Sequence, residues 1–149
     1  MADSSVLARL RRRLHPAAAP LALGALGVAG LVVVHFVDPN EPGHYPTCPW
    51  LALTGTYCPG CGSTRAVHAL TSLDIVGAAQ MNIFLVAALP FLAWAYARWV
   101  YGSFRPPARP PRLVHPFWLW SLLAGIVGFW IARNLPFGAF LAPGGALPT

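Results

Sequence analysis

The stretch PAAAPLALGALGVAGLVVVHFV, residues 16–37, runs for 22 positions without a formal charge. At 1.5 Å of rise per residue it makes about 33 Å of helix, the thickness of a bilayer's hydrocarbon core. Two further stretches have the same character. Residues 75–97, from Ile75 onward, are interrupted only by Gln80, Asn82 and Pro90, and residues 113–132 (LVHPFWLWSLLAGIVGFWIA) are uncharged and rich in tryptophan, as membrane-interface segments are. The rest of the composition agrees: 56% of the 149 residues are hydrophobic and only 9% are charged, with a mean hydropathy of +0.57. Soluble domains carry about 25% charged residues, so this chain lacks the means to cover a water-facing surface. The expected fold is therefore an all-α integral membrane protein with three transmembrane helices, plus a short helix after an extracytoplasmic cysteine loop. Pro90 is expected to kink the second span.

Charge sets the orientation. All ten basic residues are arginine, against four acids, for a net charge of +6. Arg9, Arg11, Arg12 and Arg13 precede the first span, and Arg98, Arg105, Arg109 and Arg112 lie between the second and third, whereas loop 38–74 holds Arg65 against Asp38, Glu41 and Asp74. By the positive-inside rule the N-terminus and the SFRPPARPPRL loop are cytoplasmic, and the 38–74 loop and the C-terminus face outward across the cell membrane. The arginine excess thus marks a membrane face rather than a nucleic-acid surface. The exit of the first span, VVVHFVDPNEP, lacks a small-x-small cleavage pattern, which favours an uncleaved anchor. Residues 1–15 read as a basic cytoplasmic segment, either a short helix on the inner leaflet or a disordered flank. The RPPARPPR tract reads as an extended spacer. Residues 16–136 form one membrane domain, followed by an irregular or interfacial tail, 137–149.

The reactive part of the chain lies in the 38–74 loop. Cys48, Cys58 and Cys61 follow a C-x9-C-x2-C spacing, one ligand short of a structural zinc site, which takes four thiolates or imidazoles. His44 is the first candidate for the fourth position and His68 the alternative. CPGCG resembles the knuckle of rubredoxins and zinc ribbons, although a ribbon would carry a second knuckle. Thiol redox chemistry competes with metal binding. Pro59 after Cys58 suits a helix start, where the helix dipole favours a thiolate, and Cys61, Arg65, His68 and Ser72 fall on one helical stripe that puts Arg65 near the Cys61 sulfur. Cys58, Cys61 and Arg65 would then be the catalytic set, yet no βαβ pattern of a thioredoxin-like fold accompanies them. A third reading is a structural disulfide that pins the loop, with one cysteine left over.

Cys48-Pro49, TGTYCPGCGSTRA, Asn82 and the RNLP that follows the last span together resemble the bacterial membrane-protein family catalogued as domain of unknown function 2752. The resemblance spans residues 46–136 and matches at Cys48, Thr54, Gly55, Cys58, Pro59, Cys61, Gly62, Thr64, Arg65, Asn82, Arg133 and Asn134. It implies a small multi-helix protein of the bacterial inner membrane with a cysteine motif, and no particular activity. His44 and His68 stand outside the matched positions.

The remaining polar residues have structural readings. Gln80 and Asn82, inside a span, are expected to bond to another helix, Asn82 to the Cys58–Arg65 segment or to the third span. Arg133 and Asn134 end the third span, where snorkelling to the headgroups is the ordinary expectation. Neither paired carboxylates nor a phosphate loop nor a nucleic-acid module occurs, so the sequence establishes no enzyme. Three functions follow. One is a membrane protein whose outward cysteine motif binds a metal, zinc by its donor set, or is ordered by a disulfide, and serves assembly with other membrane proteins or with itself. The others are a membrane thiol-disulfide oxidoreductase, and a transporter or channel subunit with Gln80, Asn82 and Arg65 along a polar path.

Overall fold

A computed structural model describes residues 15–105 and 115–145. The basic N-terminal segment, Arg109, Arg112 and most of the proline-rich spacer lie outside these residues. The described chain is all helical. Helix α1 is Ala18–Phe36, α2 is Pro49–Thr54, α3 is Ser63–Thr71, α4 is Ile75–Ser103 and α5 is Pro116–Ala132, followed by two 3-10 turns, Pro136–Leu141 and Pro143–Gly145. Helices α1 and α4 are long and apolar enough to cross a membrane. Helix α5 is apolar but shorter, with 17 residues against the 20 of the expected span. It starts late because His115 caps it, its Nδ1 accepting from the Phe117 N–H at 3.2 Å, and Pro116 occupies the first helical position.

Helix α4 is two helices joined at Asn82, whose φ of −158° and ψ of 88° interrupt it. The Asn82 carboxamide oxygen accepts from the Leu85 N–H at 3.0 Å, so Asn82 serves as the N-cap of the second part. This break lies eight residues before Pro90, which falls within the second part of the helix. The continuous part, 83–103, covers about 30 Å, and residues 75–81 belong with the cysteine loop. A tight turn delivers them. Leu73 takes a left-handed conformation (φ 61°), the Asp74 N–H reaches back to the Ala69 carbonyl, and the Asp74 carboxylate caps α4 through the Gly77 N–H at 2.8 Å.

Helices α1, α3 and α4 pack together, α3 most closely on α4. The Tyr96 hydroxyl on α4 donates to the Pro20 carbonyl at 2.8 Å, and Gly24 makes this approach feasible because a side chain there would collide with the phenol. At the other end of α1, His68 Nδ1–H donates to the Val34 carbonyl at 2.8 Å and His35 Nδ1 lies 3.0 Å from Thr71 Oγ1. Buried side chains are small or polar: Ala66, Ala78 and Ala142 let backbones approach, and Asn82 and Arg133 are enclosed. Large apolar side chains point outward along α1, α4 and α5, among them Leu26, Phe91, Trp94, Trp118 and Trp120.

A three-cysteine cluster clamped from below

The CPGC segment forms a turn ahead of α3. The Cys61 N–H donates to the Cys58 carbonyl at 3.1 Å, and the Cys58 N–H donates to Cys61 Sγ at 3.3 Å. Helix α3 begins at Ser63, with Gly62 as its N-cap in a left-handed conformation (φ 82°). A Cβ at Gly62 would run into the Met81 carbonyl, so both the backbone angle and the space call for glycine. The turn therefore does not place Cys58 at a helix start, as the redox reading expects.

Cys48 reaches the turn from the entrance of α2. Its sulfur lies 3.6 Å from Cys58 Sγ, Cys58 and Cys61 are 3.2 Å apart, and all three sulfurs lie within 4.8 Å of one another. All three cysteines are free. Four sulfurs at the usual zinc–thiolate bond length of about 2.3 Å around a tetrahedral ion would stand about 3.8 Å apart, so the separations of 3.2 and 3.6 Å lie somewhat inside that spacing. The Leu51 and Trp50 backbone N–H groups help hold the Cys48 thiol below its ordinary pKa, whereas burial pushes the Cys61 thiol up to about 12. A bound cation reverses that last shift, because a coordinated thiol loses its proton.

Beneath the sulfurs, three side chains from distant points of the chain hold the turn by its backbone. The fully buried Arg133 donates through Nη1 to the carbonyls of Cys58 (3.0 Å) and Pro59 (3.2 Å), and through Nη2 to that of Cys61 (3.1 Å). Its guanidinium lies against Phe129 and Tyr57, 4.8 and 5.7 Å from the ring centroids, and its Nε has no partner among the described residues. Asn134 pairs with the Tyr57 backbone in both directions: Oδ1 accepts from the N–H at 2.8 Å and Nδ2 donates to the carbonyl at 2.9 Å. Asn82 Nδ2 meets the Pro59 carbonyl and Ser63 Oγ at 3.1 Å, and the Cys61 carbonyl at 3.4 Å. Arg133 and Asn134 are thus turned inward, contrary to the snorkelling expected of them. RNLP, at the end of an apolar span and in the family-like pattern, is the sequence signal that could have revealed this role.

The histidines go elsewhere. His44 Nδ1 lies 3.3 Å from the Asp38 carbonyl and 3.4 Å from Glu41 Oε2, while His68 is held by Val34 and has Nε2 3.8 Å from Asp38 Oδ1. Neither joins the sulfurs. Arg65 is exposed on α3 and, with the three cysteines, lines an open cavity of about 650 Å³. Gln80 is exposed and Asn82 is buried against the turn, and neither lines that cavity.

These features define a small all-helical protein in which three cysteines on two loop segments converge over a buried arginine. Residues 48–96 match the model of a family described as Protein of unknown function (DUF2752), the family that the TGTYCPGCGSTRA stretch resembles. The matched segment includes the three cysteines and Asn82, and Arg133 and Asn134 lie beyond it. No curated protein and no solved structure matches the chain.

The clamp can be tested at Asn82. Replacing it by leucine removes the cap of 83–103 and strips the turn of one donor group, together costing roughly 2–4 kcal/mol. Thermal melting of Asn82→Leu in detergent should fall clearly below that of the parent, and unchanged melting would mean that these contacts contribute nothing.

Proposed function

We propose that the protein is an integral membrane protein whose outward-facing cysteine cluster binds one divalent metal ion, zinc by its donor set, as a structural centre that orders the loop between α1 and α4. The observation that carries this reading is electrostatic. Three sulfurs converge over a fully buried arginine that has no carboxylate within ion-pairing distance among the described residues. A buried cation needs a nearby anion. A divalent ion with three thiolates carries a net charge of −1, which one guanidinium balances, whereas three neutral thiols or a disulfide supply nothing. The metal also provides what the loop sequence lacks: DPNEPGHYPTCP has little apolar surface with which to order itself.

The membrane reading is supported by the outward apolar side chains of α1 and α4, whose apolar windows are barely covered within the protein. The core helix of a soluble protein would bury them. Helix α1 is also tied to α3 and α4 through His68, His35 and Tyr96, which favours a retained anchor over a removable leader. An ordered outward loop of this kind serves assembly with other membrane proteins or with further copies of the chain. The thiol-redox alternative draws less support, since Cys61 is buried and the guanidinium beneath the turn addresses its carbonyls.

Chelation tests the metal centre. Stripping the purified protein with a strong chelator should lower its melting temperature and open the 38–62 stretch to protease, both restored by zinc. Insensitivity of both to chelation would overturn the proposal. Topology is tested separately on intact cells treated with chelator and reductant. A membrane-impermeant maleimide should label the cysteines while an N-terminal tag stays protected, and the opposite pattern would invert the orientation.

A further inference from the structure

The cavity over the cysteine cluster points to a ligand. We infer that the fourth coordination position of the metal is open to this cavity and is filled by a small diffusible monoanion, a carboxylate or a thiolate, whose charge Arg65 balances. The inference rests on the metal centre proposed above and names what completes it.

The three cysteines, two half-buried and Cys61 buried, line about 650 Å³ of open space, while the clamp holds the carbonyls of the same turn. That volume falls within the range of small-molecule sites, about 300–1,000 Å³. Among the described residues no fourth histidine, cysteine or carboxylate atom joins the three sulfurs. Three protein ligands leave one position of a tetrahedral ion free for an exogenous ligand, so a centre that orders the loop can also take a ligand from the cavity. Charge selects the ligand. Arg133 already balances the ion and its three thiolates. Arg65, exposed on the cavity wall, makes no ion pair with the acids among the described residues, so a second positive charge lines the space that the cysteines line. One added monoanion brings the assembly to neutrality. The carboxylate on the same wall, Glu41, has Oε2 3.4 Å from His44 Nδ1, and it is the internal competitor for the position.

The test uses the full-length protein in detergent, with cobalt(II) in place of the native metal. Thiolate-to-cobalt charge-transfer bands report that the cluster is loaded, and the d–d bands report the fourth ligand. Titration with acetate and with 2-mercaptoethanol should shift the d–d bands saturably while the charge-transfer bands persist. Arg65→Gln should weaken acetate binding roughly three- to tenfold at low salt without changing cobalt stoichiometry. Glu41→Gln and His44→Ala should leave the anion-free spectrum as it is. A d–d spectrum that responds to neither anion, or one altered by Glu41→Gln or His44→Ala, would show an internally closed site and overturn the inference. A fourth ligand that survives dialysis and leaves only with a co-purifying protein would assign the position to a partner and overturn it as well. Failure to bind cobalt at all is a distinct result, since it removes the metal centre itself.

Discussion

Replacing Arg133 by leucine is expected to destroy the cysteine cluster while leaving every cysteine in place. The guanidinium is the shared donor for the Cys58, Pro59 and Cys61 carbonyls. Leucine fills much of the same space but donates nothing, so each carbonyl loses a charge-assisted hydrogen bond, about 1.5–3 kcal/mol, and keeps only the Cys61 N–H or the Asn82 amide as its donor. It also removes the positive charge beneath the thiolates, which raises the cost of ionising them. A loss of several kcal/mol would lower melting by roughly 10 °C for a chain of this size, and bound metal should fall well below the parent's value. Arg133→Lys separates the two effects. A single ammonium keeps the charge but cannot reproduce the planar fork that spans three acceptors. It should retain more metal than leucine yet melt below the parent. Parent-like melting and metal content in Arg133→Leu would mean that the turn holds its shape without support.

The second large effect is expected at the sulfurs. Cys48→Ser, Cys58→Ser and Cys61→Ser should each abolish stoichiometric zinc binding and lower melting by similar amounts, because the three ligands hold one ion and the loss of any one leaves two. Cys48 is the informative member. It comes from the start of α2, ten residues before Cys58, so its equal weight would show that the ion ties two loop segments together. If the CPGC pair acted alone, as a redox couple or a disulfide, Cys48→Ser would resemble the parent while the other two differed from it.

The positions of α1 and α4 were legible in the sequence because an uncharged run of twenty residues has few other uses. The break at Asn82 was not. An asparagine inside an apolar run reads as a polar contact between helices, and only the fold reveals that its carboxamide both caps 83–103 and holds the CPGC turn. The cysteine spacing announced a cluster, and the sulfurs do converge. The histidines, proposed on spacing alone, are held by local partners: His44 sits beside Asp38 and Glu41, and His68 reaches back to α1. Arg133 was hardest to read. An arginine at the end of an apolar helix most often reaches for water, and what turns this one inward is a row of three carbonyls brought from 72–75 residues away. Arg65, read as the partner of the Cys61 sulfur, lines the same cavity as the three cysteines.

The central claim, that three thiolates share one metal ion above Arg133, is tested most directly by counting metal and thiols in the same purified sample. The account predicts about one zinc per chain and three thiols that resist a bulky thiol reagent until a chelator is added and then all react. A metal-free protein with one reactive thiol, the other two joined in a disulfide, would contradict it.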